Sequence, residues 1–149
     1  IFNINQNFLV KLSELSFMKS PNNENLNPEA LKVLINIATN EGSSRCAFVN
    51  AISSKLFELL ELDNLTEEEM FLLCRVLFLL SIDIEGSNLL SSSAACEAFV
   101  TNTLSGSFDS DSSLSGKIVI DLLRFRYNQV KNSCFDPERY VVFYVLRFN

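Results

Sequence analysis

One short motif occurs three times in this chain and constrains its fold more than any other feature. Each copy reads apolar, basic, apolar, variable, bulky apolar or aromatic, and then Asn or Leu. The copies span Leu31–Ile37, Cys74–Leu80 and Leu123–Gln129, and they begin 43 and 49 residues apart. A motif that returns at nearly constant spacing indicates a structural unit that is repeated along the chain.

The spacing of the copies indicates the kind of repeat. A period of roughly 40 to 47 residues is typical of armadillo and HEAT arrays. Only four Gly and three Pro interrupt a chain of 149 residues that is 48% hydrophobic, which favours long helices over a sandwich or barrel. We therefore predict an all-α, armadillo/HEAT-like right-handed superhelix, with residues 1–149 as a single domain and as part of a longer array. Such stacks bind a partner along one surface, so the fold predicts protein binding.

Capping signals place the helices along the sequence. Asn27 followed by Pro28 predicts a helix over about 28–39, and Thr66 with Glu69 forms the capping-box pattern that opens a helix over about 67–82. Further helices are predicted over about 8–17, 43–60, 86–104 and 117–131, and from about 136 onward. The Ser- and Asp-rich segment 105–116 is predicted to be a mobile loop, which explains the longer second spacing.

Charge and cysteine content exclude several classes of function. The formal net charge is −6, which argues against general nucleic-acid binding. The chain has no His, and Cys46, Cys74, Cys96 and Cys134 form no CxxC pair, so we expect no metal site, no cofactor and no thiol–histidine catalytic pair. Buried thiols in apolar contexts indicate a reduced compartment and therefore a cytoplasmic protein. The most apolar stretch is interrupted by charged residues, so no membrane span is predicted.

The repeated positions predict a partner-binding groove. Equivalent positions on stacked helices form ladders about 10 Å apart. The second motif position supplies cations suited to carboxylates, and the sixth supplies amides suited to peptide backbone. The candidate partner-binding residues are Lys32, Arg75 and Arg124 in the first ladder, and Asn36, Leu79 and Asn128 in the second.

A purely structural interpretation of the same residues stays open. Asn within a helix often fixes the register between repeats, and a basic side chain can extend from an apolar face to reach solvent. The fifth motif position, held by Ile35, Phe78 and Tyr127, is bulky throughout and is predicted to be core. No nucleophile–base pair or Gly-rich phosphate loop stands out, so little favours an enzyme with a chemical step of its own.

Three segments resemble the synembryn family. Residues 28–38 are similar to that family's Glu-x-Leu-Lys-x-Leu-x-Asn-Leu helix, and residues 71–81 resemble its Arg-Leu-Leu-Phe-Leu-Leu-Thr helix, in the same order. Residues 122–130 are similar to the next helix, Leu-Lys-Val-Leu-Phe-Asn-Ile-Thr, after a variable loop. The resemblance covers roughly residues 28–131. Arg126 and Gln129 depart from it by replacing apolar residues, and the family's preceding basic helix is represented only by Lys11.

The resemblance implies a function. It implies a cytosolic armadillo/HEAT protein that acts as chaperone and guanine nucleotide exchange factor for G-protein α subunits. The family holds the C-terminal helix of the α subunit in its concave groove, which loosens the nucleotide site without covalent chemistry. By position, Asn36 matches a groove Asn of the family, and Arg75, Phe78 and Asn128 match its helices. The alternative is a general armadillo/HEAT scaffold for an unrelated protein partner.

Overall fold

The computed structural model describes residues 5–19, 21, 25–40, 42–106 and 112–132, and within them the regular structure is entirely helical. This confirms the all-α prediction for the described part of the chain. The helices are α1 (Gln6–Ser16), α2 (Pro28–Asn40), α3 (Gly42–Leu60), α4 (Glu67–Leu80), α5 (Ile84–Ser91), α6 (Ala94–Ser105) and α7 (Ser115–Lys131).

The predicted caps begin the two best-defined helices. At the start of α2, the backbone N–H of Ala30 donates to Asn27 Oδ1 at 3.3 Å. At the start of α4, the N–H of Glu69 donates to Thr66 Oγ1 at 3.2 Å, and the N–H of Thr66 donates back to Glu69 Oε2 at 2.9 Å. These bonds satisfy backbone donors that have no partner within the helix, so the sequence signals act as predicted.

The helix predicted over 86–104 is wrong in one respect, because the structure divides it into α5 and α6. Ser93 lies between them with an extended backbone, and its Oγ accepts a hydrogen bond from the N–H of Cys96 at 3.2 Å. A serine that caps a new helix competes with continuation of the old one. The run of three serines therefore ends one helix and begins another.

The helices form two layers. In the first, α2 contacts α4 and α4 contacts α7, while α1, α3 and α6 follow one another in the second. Contacts between α4 and α7 run in ascending order, from Arg75 with Asp121 to Ser81 with Asn128, so these two motif helices are parallel. The intervening α5 and α6 return the chain to the other layer, which explains why parallel neighbours are possible.

Leucine-rich faces of both layers meet in one core, which includes Leu31, Leu56, Leu77 and Phe125. Cys74 and Cys96 are buried there, and burial raises the pKa of both thiols, to about 12 for Cys96. The predicted loop centre at 107–111 and the predicted helix from 136 lie outside the described residues. So do Cys134 and the side chain of Cys46. None of the described helices combines the length and the apolar character that a bilayer crossing requires.

Candidate functional site

The outward side of the first layer presents a mixed aromatic and basic surface, which we call the α2–α4–α7 face. Each helix contributes exposed or partly exposed side chains at helical spacing. They are Val33 and Asn36 on α2, Phe71, Arg75 and Phe78 on α4, and Ile120, Arg124 and Tyr127 on α7. The face includes three of the six residues predicted to bind a partner.

Lys32 links α2 to α4 at the margin of this face. Its Nζ lies 2.9 Å from Glu29 Oε1 and 3.2 Å from Glu68 Oε1. Hydrogen bonds to Glu29 and then Glu68 raise the pKa of Lys32. Glu68 precedes Arg75 by seven residues, which is about 10 Å along a helix. Lys32 therefore lies opposite the start of α4 and not beside Arg75.

Arg75 connects α4 to α7 through a buried acid. Its Nε donates to Asp121 Oδ2 at 2.8 Å, and its guanidinium carbon lies 5.6 Å from the centroid of the Phe71 ring. Asp121 is fully buried. Burial raises the pKa of Asp121, and the positive charge of Arg75 opposes this. The second motif cation thus has a structural contact that the sequence did not predict.

Arg124 is the most exposed of the three ladder cations. Its side chain is 53% exposed, and Nη1 lies 3.7 Å from Asp121 Oδ1, which is too far for a hydrogen bond. Its guanidinium carbon lies 5.5 Å from the centroid of the Phe78 ring on α4. Arg75 lies opposite Asp121, which precedes Arg124 by about one turn of α7, so the two guanidinium side chains form a staggered pair.

The three residues of the second ladder lie in three different environments. Asn36 is exposed. Asn128 is half-buried, and its Nδ2 donates to Ser81 Oγ at 3.0 Å, in agreement with the interpretation in which Asn fixes the register between helices. Leu79 is only 3% exposed and packs in the core. Its expected contact with a partner therefore has to be corrected, since a side chain inside the core cannot touch a ligand on the surface.

The fifth motif position also varies. Ile35 is buried, as predicted, and Phe78 is partly buried, but Tyr127 is 65% exposed, so its assignment to the core was wrong. The reason is that Arg126, the preceding residue, occupies the inward side of α7 and is buried. Neighbouring residues on a helix point about 100° apart, which turns Tyr127 to the surface.

The sequence did not predict a buried polar network on the inner side of α7. Arg126 donates from Nη1 and Nη2 to the two carboxylate oxygens of Glu97 on α6 at 2.8 and 2.9 Å, and from Nη1 to Gln129 Oε1 at 2.9 Å. Gln129 Nε2 donates to Ser91 Oγ at 2.8 Å. The signal in the sequence was the pair Arg126 and Gln129, which lie three residues apart on the apolar side of α7. They were noted only as departures from the family's third motif.

An open cavity of about 680 Å³ lies away from this face, between the end of α3 and α6. Apolar side chains such as Met70 and Phe99 line it, with Glu61 and Asp63 also on the wall, and its lining contains no Cys or Lys. Among the described residues, no group of three acidic, Cys or His side chains is placed to hold a metal ion.

Comparison with known proteins links the chain to a family. A family model described as guanine nucleotide exchange factor synembryn matches residues 3–128. The matched region contains α1 to α6 and all but the last turn of α7, so it includes every helix of the α2–α4–α7 face. Searches of curated proteins and of solved structures gave no significant match.

Proposed function

Because this chain belongs to the synembryn family of guanine nucleotide exchange factors, we propose that it binds the α subunit of a heterotrimeric G protein in the cytoplasm. The proposed contact is between the C-terminal helix of the α subunit and the α2–α4–α7 face. The observation that carries the proposal is the combination of exposed Tyr127, partly exposed Phe71 and Phe78, and cations on adjacent helices, because an amphipathic helix needs both an apolar strip and polar anchors.

The proposed architecture is an armadillo/HEAT superhelix. Two layers of helices, with parallel motif helices α4 and α7 in one layer, support it. In such a stack the motif helices line the inner, concave side, and each new repeat widens the surface available to a partner. On this proposal the α2–α4–α7 face is part of a longer groove.

The chemical character of the face favours a helix that is apolar on one side and acidic at one end. Phe78 and Tyr127 supply aromatic area of the kind that dominates binding energy at protein interfaces. Arg75 and Arg124 supply planar donors suited to carboxylates, and Asn36 supplies one donor and one acceptor for peptide backbone. Leu79 has no part in the proposed contact, and Lys32 and Asn128 act mainly between helices.

The proposed mechanism needs no bond to be made or broken by this chain. Holding the C-terminal helix of the α subunit on the face favours conformations of the α subunit in which that helix is displaced and the nucleotide is loosely held. A binding protein accelerates exchange when it binds the nucleotide-free state more tightly than the nucleotide-bound state. The same preference for a partly open α subunit would account for a chaperone role.

The proposal is tested by titrating this chain with a fluorescent peptide that reproduces the C-terminal helix of a G-protein α subunit. We expect Arg124→Gln to weaken binding about tenfold, because it removes an exposed charged donor without placing a negative charge beside buried Asp121. Tyr127→Ala is expected to weaken it by a similar factor, and Asn36→Ala by about threefold. Arg75→Glu is less informative, since it would place a second negative charge beside buried Asp121.

Lys55→Gln is the matched control. It changes the net charge by the same amount as Arg124→Gln, but Lys55 lies on α3, in the other layer, with its Nζ 2.8 Å from Glu58 Oε2. Circular dichroism should show unchanged helicity for all these variants. Equal affinity of the wild type, Arg124→Gln and Tyr127→Ala for the peptide would disprove the proposed contact and favour a general scaffold for another partner.

A further inference from the structure

Arg75, Asp121 and Arg124 form a cluster of three charges at the α4–α7 interface, which we call the arginine cluster. One carboxylate oxygen of Asp121 accepts from Arg75 Nε at 2.8 Å, and the other lies 3.7 Å from Arg124 Nη1. That second oxygen is buried and accepts no hydrogen bond within the described part of the chain. Two guanidinium groups thus share one buried carboxylate, and the formal charge of the cluster is +1.

The donors that remain in the arginine cluster are available to solvent. Arg75 is about one-third exposed, and Arg124 about half exposed. Arg75 uses Nε for Asp121, and within the described residues neither its Nη groups nor those of Arg124 form another hydrogen bond. The guanidinium carbons lie 5.6 Å from the Phe71 ring centroid and 5.5 Å from that of Phe78. An aromatic ring accepts no conventional hydrogen bond from these groups, so their remaining N–H donors can still approach an acceptor.

We infer that the arginine cluster binds a single carboxylate of the partner and that Asp121 makes the cluster prefer a carboxylate to a phosphate. This inference rests on the proposed function, since it assigns one subsite on the same face. One carboxylate neutralises a cluster of charge +1, and its two oxygens fit guanidinium donors in a bidentate manner.

Asp121 selects against a phosphate at the same position. A phosphate monoester carries a charge of about −1.5 to −2 at pH 7, so it would leave excess negative charge near Asp121. Because Asp121 is fully buried, water screens its charge poorly and repulsion of a second negative charge is felt strongly. With Asn at position 121 the cluster would have a charge of +2 and would accommodate a dianion.

The test uses the C-terminal peptide of a G-protein α subunit in three forms, titrated against this chain by fluorescence anisotropy. The forms end in a free carboxylate, in an amide, and in an amidated phosphoserine that replaces the last residue. For the wild type we expect the free acid to bind about tenfold more tightly than the amide, as charged hydrogen bonds suggest, and the phosphoserine form to bind no more tightly than the free acid. Asp121→Asn should reverse this order and favour phosphoserine about tenfold.

Further peptides distinguish the possible sources of the carboxylate, and variants at exposed positions test the inference without disturbing the fold. If an acidic side chain of the peptide supplies the carboxylate, the acid and amide forms will bind equally, and Asn or Gln replacements in the peptide will show the tenfold loss. Arg124→Gln changes an exposed side chain, and we expect it to abolish the advantage of whichever carboxylate is bound. Asp63→Asn removes one exposed negative charge from the α3–α4 connection and should leave all preferences unchanged.

Two results would overturn the inference. The first is a peptide that binds the wild type with the same affinity whether or not any of its carboxylates is present, which would leave the proposed function intact. The second is an Asp121→Asn variant that is folded and keeps the wild-type ratio of affinities for phosphoserine and carboxylate. Absence of binding by every form of the peptide would overturn both this inference and the proposed function.

Discussion

The ion pair between Arg126 and Glu97 predicts an unequal response to removing either partner. The side chain of Arg126 is 3% exposed, whereas that of Glu97 is 48% exposed. Removing Glu97 takes two charged hydrogen bonds from a guanidinium that water reaches poorly, although the bond to Gln129 at 2.9 Å remains. Removing Arg126 leaves a carboxylate that water can hydrate. Removing the exposed Glu97 should therefore destabilise the protein more than removing the buried Arg126.

The magnitude follows from these exposures. Breaking a fully buried pair by removing one partner costs about 3–5 kcal/mol. Because Glu97 is half exposed, some water replaces it, and we expect Glu97→Ala to lower the free energy of unfolding by about 2 kcal/mol. Arg126→Met keeps most of the buried aliphatic volume and removes the buried charge, but it also removes the donor to buried Gln129 Oε1, so its expected cost is about 1 kcal/mol.

Urea unfolding followed by circular dichroism measures both values. With an m-value of about 2 kcal/mol/M, Glu97→Ala should lower the midpoint by about 1 M and Arg126→Met by about 0.5 M. The double variant should resemble Arg126→Met alone, since no buried charge then lacks its partner. Glu14→Ala, at an exposed position on α1, is the control, with an expected change within about 0.5 kcal/mol. An Arg126→Met variant as unstable as Glu97→Ala would refute the reasoning.

Three further predictions concern single positions. Thr66→Ala removes half of the capping box and should cost about 1 kcal/mol in urea unfolding, with Thr66→Ser close to wild type; no loss would mean that the cap contributes little. Gly86→Ala should cost about 3 kcal/mol or prevent folding, because a Cβ there would overlap the carbonyl oxygen of Leu80, whereas Gly116→Ala meets nothing within 4 Å and should be neutral or stabilising. Burial raises the pKa of Asp121, so its contribution to stability is greatest at low pH and decreases as pH rises through that pKa. We therefore expect the free energy of unfolding of Asp121→Asn, relative to that of the wild type, to be highest near pH 7 and to fall toward pH 4. A trend in the opposite direction would contradict this.

The sequence predicted those features that depend on neighbouring residues. The starts of α2 and α4 follow from Asn27, Pro28 and Thr66, whose side chains or rings act within one turn. The division between α5 and α6 was missed although its signal is local. Ser93 is as good a cap as Thr66, but it lies in a run of serines that is equally compatible with a weak helix interior.

The rotation of each motif helix was not predictable in the same way. Matching the three motifs residue by residue assumes that equivalent positions face the same direction, and this holds for Arg75 and Arg124 but not for Asn36 and Leu79. A change of one position turns a side chain by about 100°, and the choice depends on contacts from residues far away in sequence. Arg126 shows the cause, since its bond to Glu97 on α6 fixes which side of α7 points inward.

The staggered position of the cations bears on how any binding experiment should be interpreted. Lys32 contacts an acid on the next helix of the layer, and so does Arg75, so that each contributes to the packing of one motif helix on another. A loss of binding after changing either residue would therefore mix loss of contact with loss of structure. Arg124 has no comparably short ion pair among the described residues, and Tyr127 is largely exposed, so changes at these two positions act mainly on a ligand. If the face binds a helix, the affinity of Arg124 and Tyr127 variants should fall while their urea midpoints stay constant, whereas for Lys32 and Arg75 variants both quantities should change together.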